Sequence, residues 1–206
     1  VIHVGDLSRP GGRAGEPASV GLTEACTKLG IRSARLKTGT PPRIWGQTVK
    51  LEELDEQRGD DEPVFFSRTT KELSLEQRPC YMARTNERTH DVLRMSFDRA
   101  PLFTGRIKSE GPRYCPSIEL KLTRFADKDS HLLFLEPEGL DTDEYYLNGF
   151  ATSVPVDTQQ DAVRTIPGFE NACLSRYGYA IEYDYFEPTH LLPTLASSKD
   201  GALFFA

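Results

Sequence analysis

The run Gly111-Pro-Arg-Tyr-Cys-Pro-Ser-Ile-Glu-Leu-Lys-Leu-Thr-Arg-Phe125 restricts the fold more than any other stretch of the chain. Pro112 and Pro116 fence Cys115. Each proline fixes its own φ and pushes the preceding residue out of helical space, so Tyr114 and Cys115 are expected in a stiff, extended segment. Beyond them the period is ambiguous. Ile118, Leu122 and Phe125 recur at helical spacing, while Ile118, Leu120 and Leu122 alternate as a strand would. The helical reading is preferred, with Pro116 near the first turn and Ser117 as the alternative cap. Such a helix would aim its free N–H groups back at Cys115 and, with Arg113, raise the thiolate fraction. One reading is a nucleophilic or redox thiol beside an anion site. The other is a half-buried cysteine in a proline-ordered turn.

With 206 residues, the chain suffices for one large domain or two small ones. No apolar run approaches the roughly 20 residues of a membrane helix, and no leader pattern opens the chain. Cys26, Cys80, Cys115 and Cys173 form no C-x-x-C pair, which speaks against a zinc ribbon or a dithiol motif. Reduced thiols in a cytoplasmic setting are expected. No metal cluster is read from the four scattered histidines. A net charge of -6 opposes a broad nucleic-acid face, leaving only local basic clusters. Val1 at the start and the apolar Leu203-Phe-Phe-Ala206 at the end suggest an internal piece of a longer polypeptide.

In chain order, Val1 to Val4 is a strand candidate. Gly11, Gly12 and Gly15 make a permissive loop around Arg13 that is not a G-x-G-x-x-G motif. Glu16 to Leu29 reads as an amphipathic helix with Ser19 or Glu16 near its start, Val20, Leu22, Ala25 and Leu29 on its apolar side, and Gly30 as its stop. Ile31 to Leu36 alternates as a strand. Lys37 to Arg43 is expected to be a rigid loop because Pro41 and Pro42 continue neither element. Arg32, Arg35, Lys37 and Arg43 are either phosphate contacts or a solvated basic edge.

Leu51 to Pro63 is an acidic surface stretch. Val64 to Phe66 and Cys80 to Met82 are strand candidates. Thr89 to Phe97 is a helix capped by Thr89, and His131 to Leu135 a strand. Asn148-Gly149 is a hairpin turn between Tyr145-Tyr146 and Phe150 to Thr152. Asp157 to Ile166 is a helix, and Tyr177 to Phe186 is β-prone.

Gly111 to Phe125, Gly11-Gly-Arg-Ala-Gly-Glu-Pro17, Arg35-Leu-Lys-Thr-Gly-Thr-Pro-Pro-Arg43, Thr85-Asn-Glu-Arg-Thr-His-Asp91, Phe134-Leu-Glu-Pro-Glu-Gly139 and Gly178-Tyr-Ala-Ile-Glu-Tyr-Asp184 together resemble the MnmG (GidA) family, in family order and over nearly the whole chain. Two places depart from the family pattern: Leu120, where a polar residue is usual, and the loose, polar run Ala196 to Ala202.

The resemblance implies an α/β fold with mixed sheets. Residues 1–43 and 151–206 would be parts of a discontinuous Rossmann-like FAD-binding domain. Residues 44–150 would be an inserted α/β domain associated with NADH. It also implies modification of the tRNA wobble uridine at C5, with FAD, NADH, a folate one-carbon donor and the GTPase partner MnmE. The full-length protein would be a homodimer without a membrane segment, cytoplasmic or, in a eukaryote, mitochondrial. Cys115 would be the catalytic thiol and Ser19 a flavin contact. Gly111, Pro112, Arg113, Tyr114, Cys115, Pro116, Ser117, Ile118, Glu119, Leu120, Lys121, Leu122, Thr123, Arg124 and Phe125 would form the nicotinamide segment. Arg113, Lys121 and Arg124 would pair with its pyrophosphate. Arg35, Lys37 and Arg43 would contact tRNA phosphates. The competing class is a binding or interaction module with no chemistry of its own.

Overall fold

The computed structural model describes residues 1–113 and 115–205. Two antiparallel sheets organise them. The first has four strands in the order β2-β1-β10-β3, formed by β1 (Ile2–Val4), β2 (Leu7–Arg9), β3 (Ser33–Thr40) and β10 (Tyr179–Phe186). The second has six, in the order β5-β6-β7-β8-β4-β9. Its strands are β4 (Arg43–Trp45), β5 (Asp55–Gln57), β6 (Cys80–Arg84), β7 (Leu132–Pro137), β8 (Glu144–Asn148) and β9 (Leu174–Arg176). Four helices complete the fold: α1 (Leu22–Lys28), α2 (Glu87–Arg94), α3 (Ile118–Arg124) and α4 (Val156–Val163). The α/β class expected from the sequence is therefore what the chain adopts, with antiparallel ladders. Among the described residues no helix is long and apolar enough to cross a membrane.

The main core belongs to the six-stranded sheet. Leu133 and Leu135 of β7, Tyr145 and Leu147 of β8 and Ile44 of β4 meet Leu93 of α2, Ile118 and Leu122 of α3, and Ala162 and Val163 of α4. Strand alternation produces this: Leu133 and Leu135 are fully buried while Leu132 is exposed. Thus α4 and β9, which lie in the segment read from sequence as the continued flavin part, pack on the six-stranded sheet. The four-stranded sheet has a small core of its own, Ile2, Val4 and Tyr179.

Several expectations are corrected. The helix after the glycine loop starts at Leu22 rather than near Glu16, because Gly21 at φ 90° breaks the backbone in front of it. Of its side chains only Cys26 is buried, while Val20, Leu22 and Leu29 are exposed. Strand β3 runs on to Thr40, so Lys37 to Thr40 are ladder residues and not a loop; eight consecutive pairs with β10 override the proline signal that follows them. Val64 to Phe66 forms no strand and is largely exposed, with no partner strand beside it. Helix α2 is capped by Asn86, which accepts from Thr89 N at 3.0 Å; Thr89 is the third helical residue and closes a capping box. Gly149 does turn the chain, at φ 92° and packed against the Leu132 carbonyl, but no strand follows it. Strand β8 instead pairs back with β7 and with β4.

Candidate functional site

Cys115 lies where the two sheets meet. Its N–H donates to the Pro112 carbonyl at 3.2 Å, closing the turn that the flanking prolines prepare. The half-buried thiol sits 3.6 Å from Thr38 Oγ1 on β3. The backbone ties the approach to this turn to the same strand. Lys37 N donates to the Glu110 carbonyl at 2.9 Å, and Leu36 makes a parallel bridge with Glu110.

Lys37 threads beneath the turn. A Cβ placed on Gly111 would stand 3.1 Å from Lys37 Cε, so the glycine leaves room for the lysine stem. The side chain is only 5% exposed. Burial lowers the pKa of its ammonium, the charges of Glu119 and Cys115 oppose that, and Arg124 reinforces it. Lys37 was expected at a basic phosphate edge or in solvent; the structure buries it beneath Gly111.

Glu119 enters from α3 and is fully buried. Its Oε1 accepts from Ser153 N at 2.8 Å, Thr152 Oγ1 at 3.0 Å and Ser153 Oγ at 3.3 Å. Its Oε2 has no hydrogen-bond partner. Ser117 occupies the cap position of α3, but its hydroxyl makes no cap bond and is also buried without a partner. Leaving such an atom unsatisfied costs about 1–3 kcal/mol, and folds keep that cost where polar groups serve another purpose.

The remaining residues of the segment divide sharply. Ile118 and Leu122 are core, fully or nearly fully buried, and touch no surface ligand. Leu120 is half-buried. Lys121, expected to pair with a pyrophosphate, donates instead to the Gly149 carbonyl at 2.8 Å, and burial lowers its pKa. Arg113, Thr123, Arg124 and Phe125 face outward, Gly111, Pro112 and Pro116 are half-buried, and Tyr114 lies outside the described residues.

Ser19 is exposed on the irregular run ahead of α1, two residues before the Gly21 cap. Arg35 and Arg43, expected as phosphate contacts, already have carboxylate partners: Arg35 Nε to Asp184 at 3.0 Å, Arg43 Nε to Glu138 at 2.8 Å. The Arg43 guanidinium also covers the Tyr146 ring at 4.7 Å and donates to Thr40 Oγ1 at 2.6 Å. What sequence reasoning missed are Thr38, Thr152 and Ser153, contributed from a distance, and the burial of Lys37, which it named as a phosphate contact or a solvated cation. The alternation of Lys37-Thr-Gly-Thr40 was the available signal on β3.

The match to the glucose inhibited division protein A family runs over residues 1–206. The chain belongs to this family. Among curated relatives, the tRNA uridine 5-carboxymethylaminomethyl modification enzyme MnmG of Flavobacterium johnsoniae is 53% identical over 208 residues, covering 100% of this chain and 33% of the relative. The protein of the same name from Rhodopirellula baltica is 52% identical over 206 residues, covering 100% of this chain and 32% of its own length. The solved structure of Aquifex aeolicus GidA superposes with a TM-score of 0.89 at 45% identity, covering 98% of this chain and 35% of that one. The chain spans about a third of the length of the relatives it matches.

Proposed function

We propose that this chain is the thiol-presenting part of a flavoprotein that modifies the wobble uridine of tRNA at C5. The observation that carries the reading is the Cys115 turn, which holds a half-buried thiol 3.6 Å from Thr38 Oγ1, between the strand that carries the buried Lys37 and the helix that carries the buried Glu119 with its unpartnered Oε2. A thiolate adds to an electron-poor ring carbon without a separate activating base, and Cys is the least weak unassisted nucleophile near neutral pH. Cys115 would add to uridine C6, leaving C5 electron-rich enough to accept the one-carbon unit from a folate donor. The names carried by the relatives support tRNA uridine as the substrate.

FAD and NADH would supply the redox chemistry when bound. Ser19, with an exposed hydroxyl, fits one flavin contact. For the nicotinamide, the exposed Arg113, Arg124 and Phe125 fit two charged contacts and one ring face, while Ile118, Leu122 and the bonded Lys121 do not. Residues 1–43 and 151–206 would then belong to the flavin side and 44–150 to the nicotinamide side. In the whole protein, MnmE would be the GTPase partner, the assembly a homodimer and the compartment the bacterial cytoplasm or a mitochondrion.

Complementation tests this. Cells lacking their own enzyme of this type should regain the C5-modified uridine in hydrolysed tRNA when the complete protein is expressed. Unmodified uridine despite soluble, flavin-loaded protein would overturn the proposal.

A further inference from the structure

Two of the sequence blocks, Gly11 to Pro17 and Gly178 to Asp184, lie outside the Cys115 turn. They meet at a cavity of about 320 Å³ lined by Ala14, Arg43, Ser175, Arg176, Tyr177 and Tyr179. Ser175 stands at a β-bulge. Arg43 pairs with Arg176 and Ile44 with Leu174, so Ser175 is the extra residue of β9. A bulge re-aims the side chain it carries, and bulges are over-represented beside active sites. The Ser175 hydroxyl is buried and has no hydrogen-bond partner, a state that calls for a ligand or another explanation. Tyr179 accepts from Ala14 N at 3.1 Å, which leaves its own O–H to donate. Tyr177, 40% exposed, adds an aromatic ring.

The two cations of the wall are already neutralised. Arg43 Nε lies 2.8 Å from Glu138, and Arg176 Nε 3.3 Å from Glu144. Such a wall does not select a phosphate. It suits a flat, neutral ring that stacks on an aromatic face and meets hydroxyls at its edge. The cavity is also tied to the strand that serves the thiol. Thr40 Oγ1 accepts from Arg43 at 2.6 Å, and Thr38 Oγ1 touches Cys115 Sγ. These threonines lie on one face of β3, about 7 Å apart along the strand.

We propose that this cavity seats the pyrimidine ring of the uridine. The Tyr179 O–H donates to a ring carbonyl, the Ser175 hydroxyl accepts from the ring N3–H, and Tyr177 stacks on the ring face. This rests on the reading of tRNA uridine as the substrate.

The test uses the complete, flavin-loaded protein. Transfer RNA with 5-bromouridine at the wobble position is photocross-linked to it, and the adduct is mapped by mass spectrometry. The adduct should fall on Tyr177 or Tyr179. In parallel, anticodon stem-loops with uridine or cytidine at that position are titrated by fluorescence anisotropy. The wild type should prefer uridine by at least about tenfold, and Tyr179→Phe and Ser175→Ala should each remove most of that preference with flavin content unchanged. Adducts only outside the cavity, or a uridine preference that survives in both variants, would overturn the proposal and leave tRNA as the substrate. Loss of bound flavin with the preference kept would overturn it too, giving the cavity to the flavin ring. A wild type that binds neither RNA would overturn the wider reading as well.

Discussion

The six-stranded sheet buries Phe150, Phe169, Ile166, Leu133, Leu135 and Leu147 completely, whereas the four-stranded sheet gathers only Ile2, Val4 and Tyr179 at its own core. What the second region lacks in apolar burial it makes up in polar contacts around Glu182 of β10. This side chain is 6% exposed. Its Oε1 accepts from Ser109 Oγ at 2.7 Å, Ser109 N at 3.1 Å and Lys108 N at 3.2 Å, and its Oε2 lies 2.9 Å from His3 Nε2. His3 in turn meets Ser8 at 2.8 Å through Nδ1, so the chain of contacts crosses three strands. One region is ordered mainly by packing, which is insensitive to pH. The other is ordered by directional bonds to one carboxylate, which are not. The Cys115 turn stands on both: α3 below it is anchored in the large core, and Lys37 and Thr38 beside it belong to the strand that pairs with β10.

The largest effect should come from the large core. Phe150→Ala is expected to cost about 3–5 kcal/mol, and Ile2→Ala about 2 kcal/mol, because a thin, partly open core collapses around a lost side chain more easily. Urea denaturation measures both. Equal costs would erase the distinction between the regions.

The next effect concerns Glu182. Burial alone would raise its pKa, but the Ser109 hydroxyl, the Ser109 and Lys108 N–H groups and His3 together bring it from 4.5 to about 2. A carboxylate depressed on folding adds stability at pH values above its unfolded pKa and loses it as the pH falls through the folded one. The contribution should therefore be complete above about pH 4.5 and vanish toward pH 2. Glu182→Gln should cost about 2–3 kcal/mol at pH 7, with the acid slope in this window reduced. Stability that falls just as steeply in the variant would remove Glu182 from the account.

A smaller signature of the same sign, at higher pH, belongs to the six-stranded region. His90 and His131 stack with ring centroids 5.4 Å apart, and His131 Nε2 is buried without a partner. Burial lowers both pKa values, helped by Arg94 at His90 and by Lys121 and His90 at His131. Folded histidines that resist protonation bind fewer protons than unfolded ones, so stability should hold above about pH 6.5 and decline below it. His90→Gln should flatten the curve below about pH 6.5 and leave the Glu182 window unchanged. An unflattened curve would assign that decline to other groups.

Much of this was legible in the sequence for physical reasons that can be named. The apolar run Leu132-Leu-Phe-Leu135 marked β7, and the paired prolines marked the Cys115 segment, read as extended backbone where Cys115 N–H instead closes a turn on Pro112, because both signals are local. The continuation of β3 through Lys37-Thr-Gly-Thr40 was hidden by Pro41 and Pro42, whose influence stops at the residue before them when a long partner strand is present. The start of α1 was misplaced because its apolar residues suggested a buried face, whereas Val20, Leu22 and Leu29 are exposed and Gly21 decides the boundary. Within the site, the flanking residues left Cys115 open between a reactive thiol and a turn residue, and the family resemblance singled it out. The burial of Lys37 could not be read, because it depends on a loop some seventy residues away; in a loop beside Arg35 and Arg43 it looked like a phosphate contact or a solvated cation. Cys173 is exposed because β9 is an edge strand and residue 173 stands just outside it.

The most direct test uses Cys115→Ser in the complete protein, with the C5-modified uridine in tRNA quantified by mass spectrometry and with folding, FAD content and tRNA binding measured in parallel. The account predicts that modification is lost while the other three stay near normal, since the serine keeps the turn's backbone bond to Pro112 and removes only the thiol. Modification at the normal rate would contradict it and leave Cys115 as a residue of the turn alone.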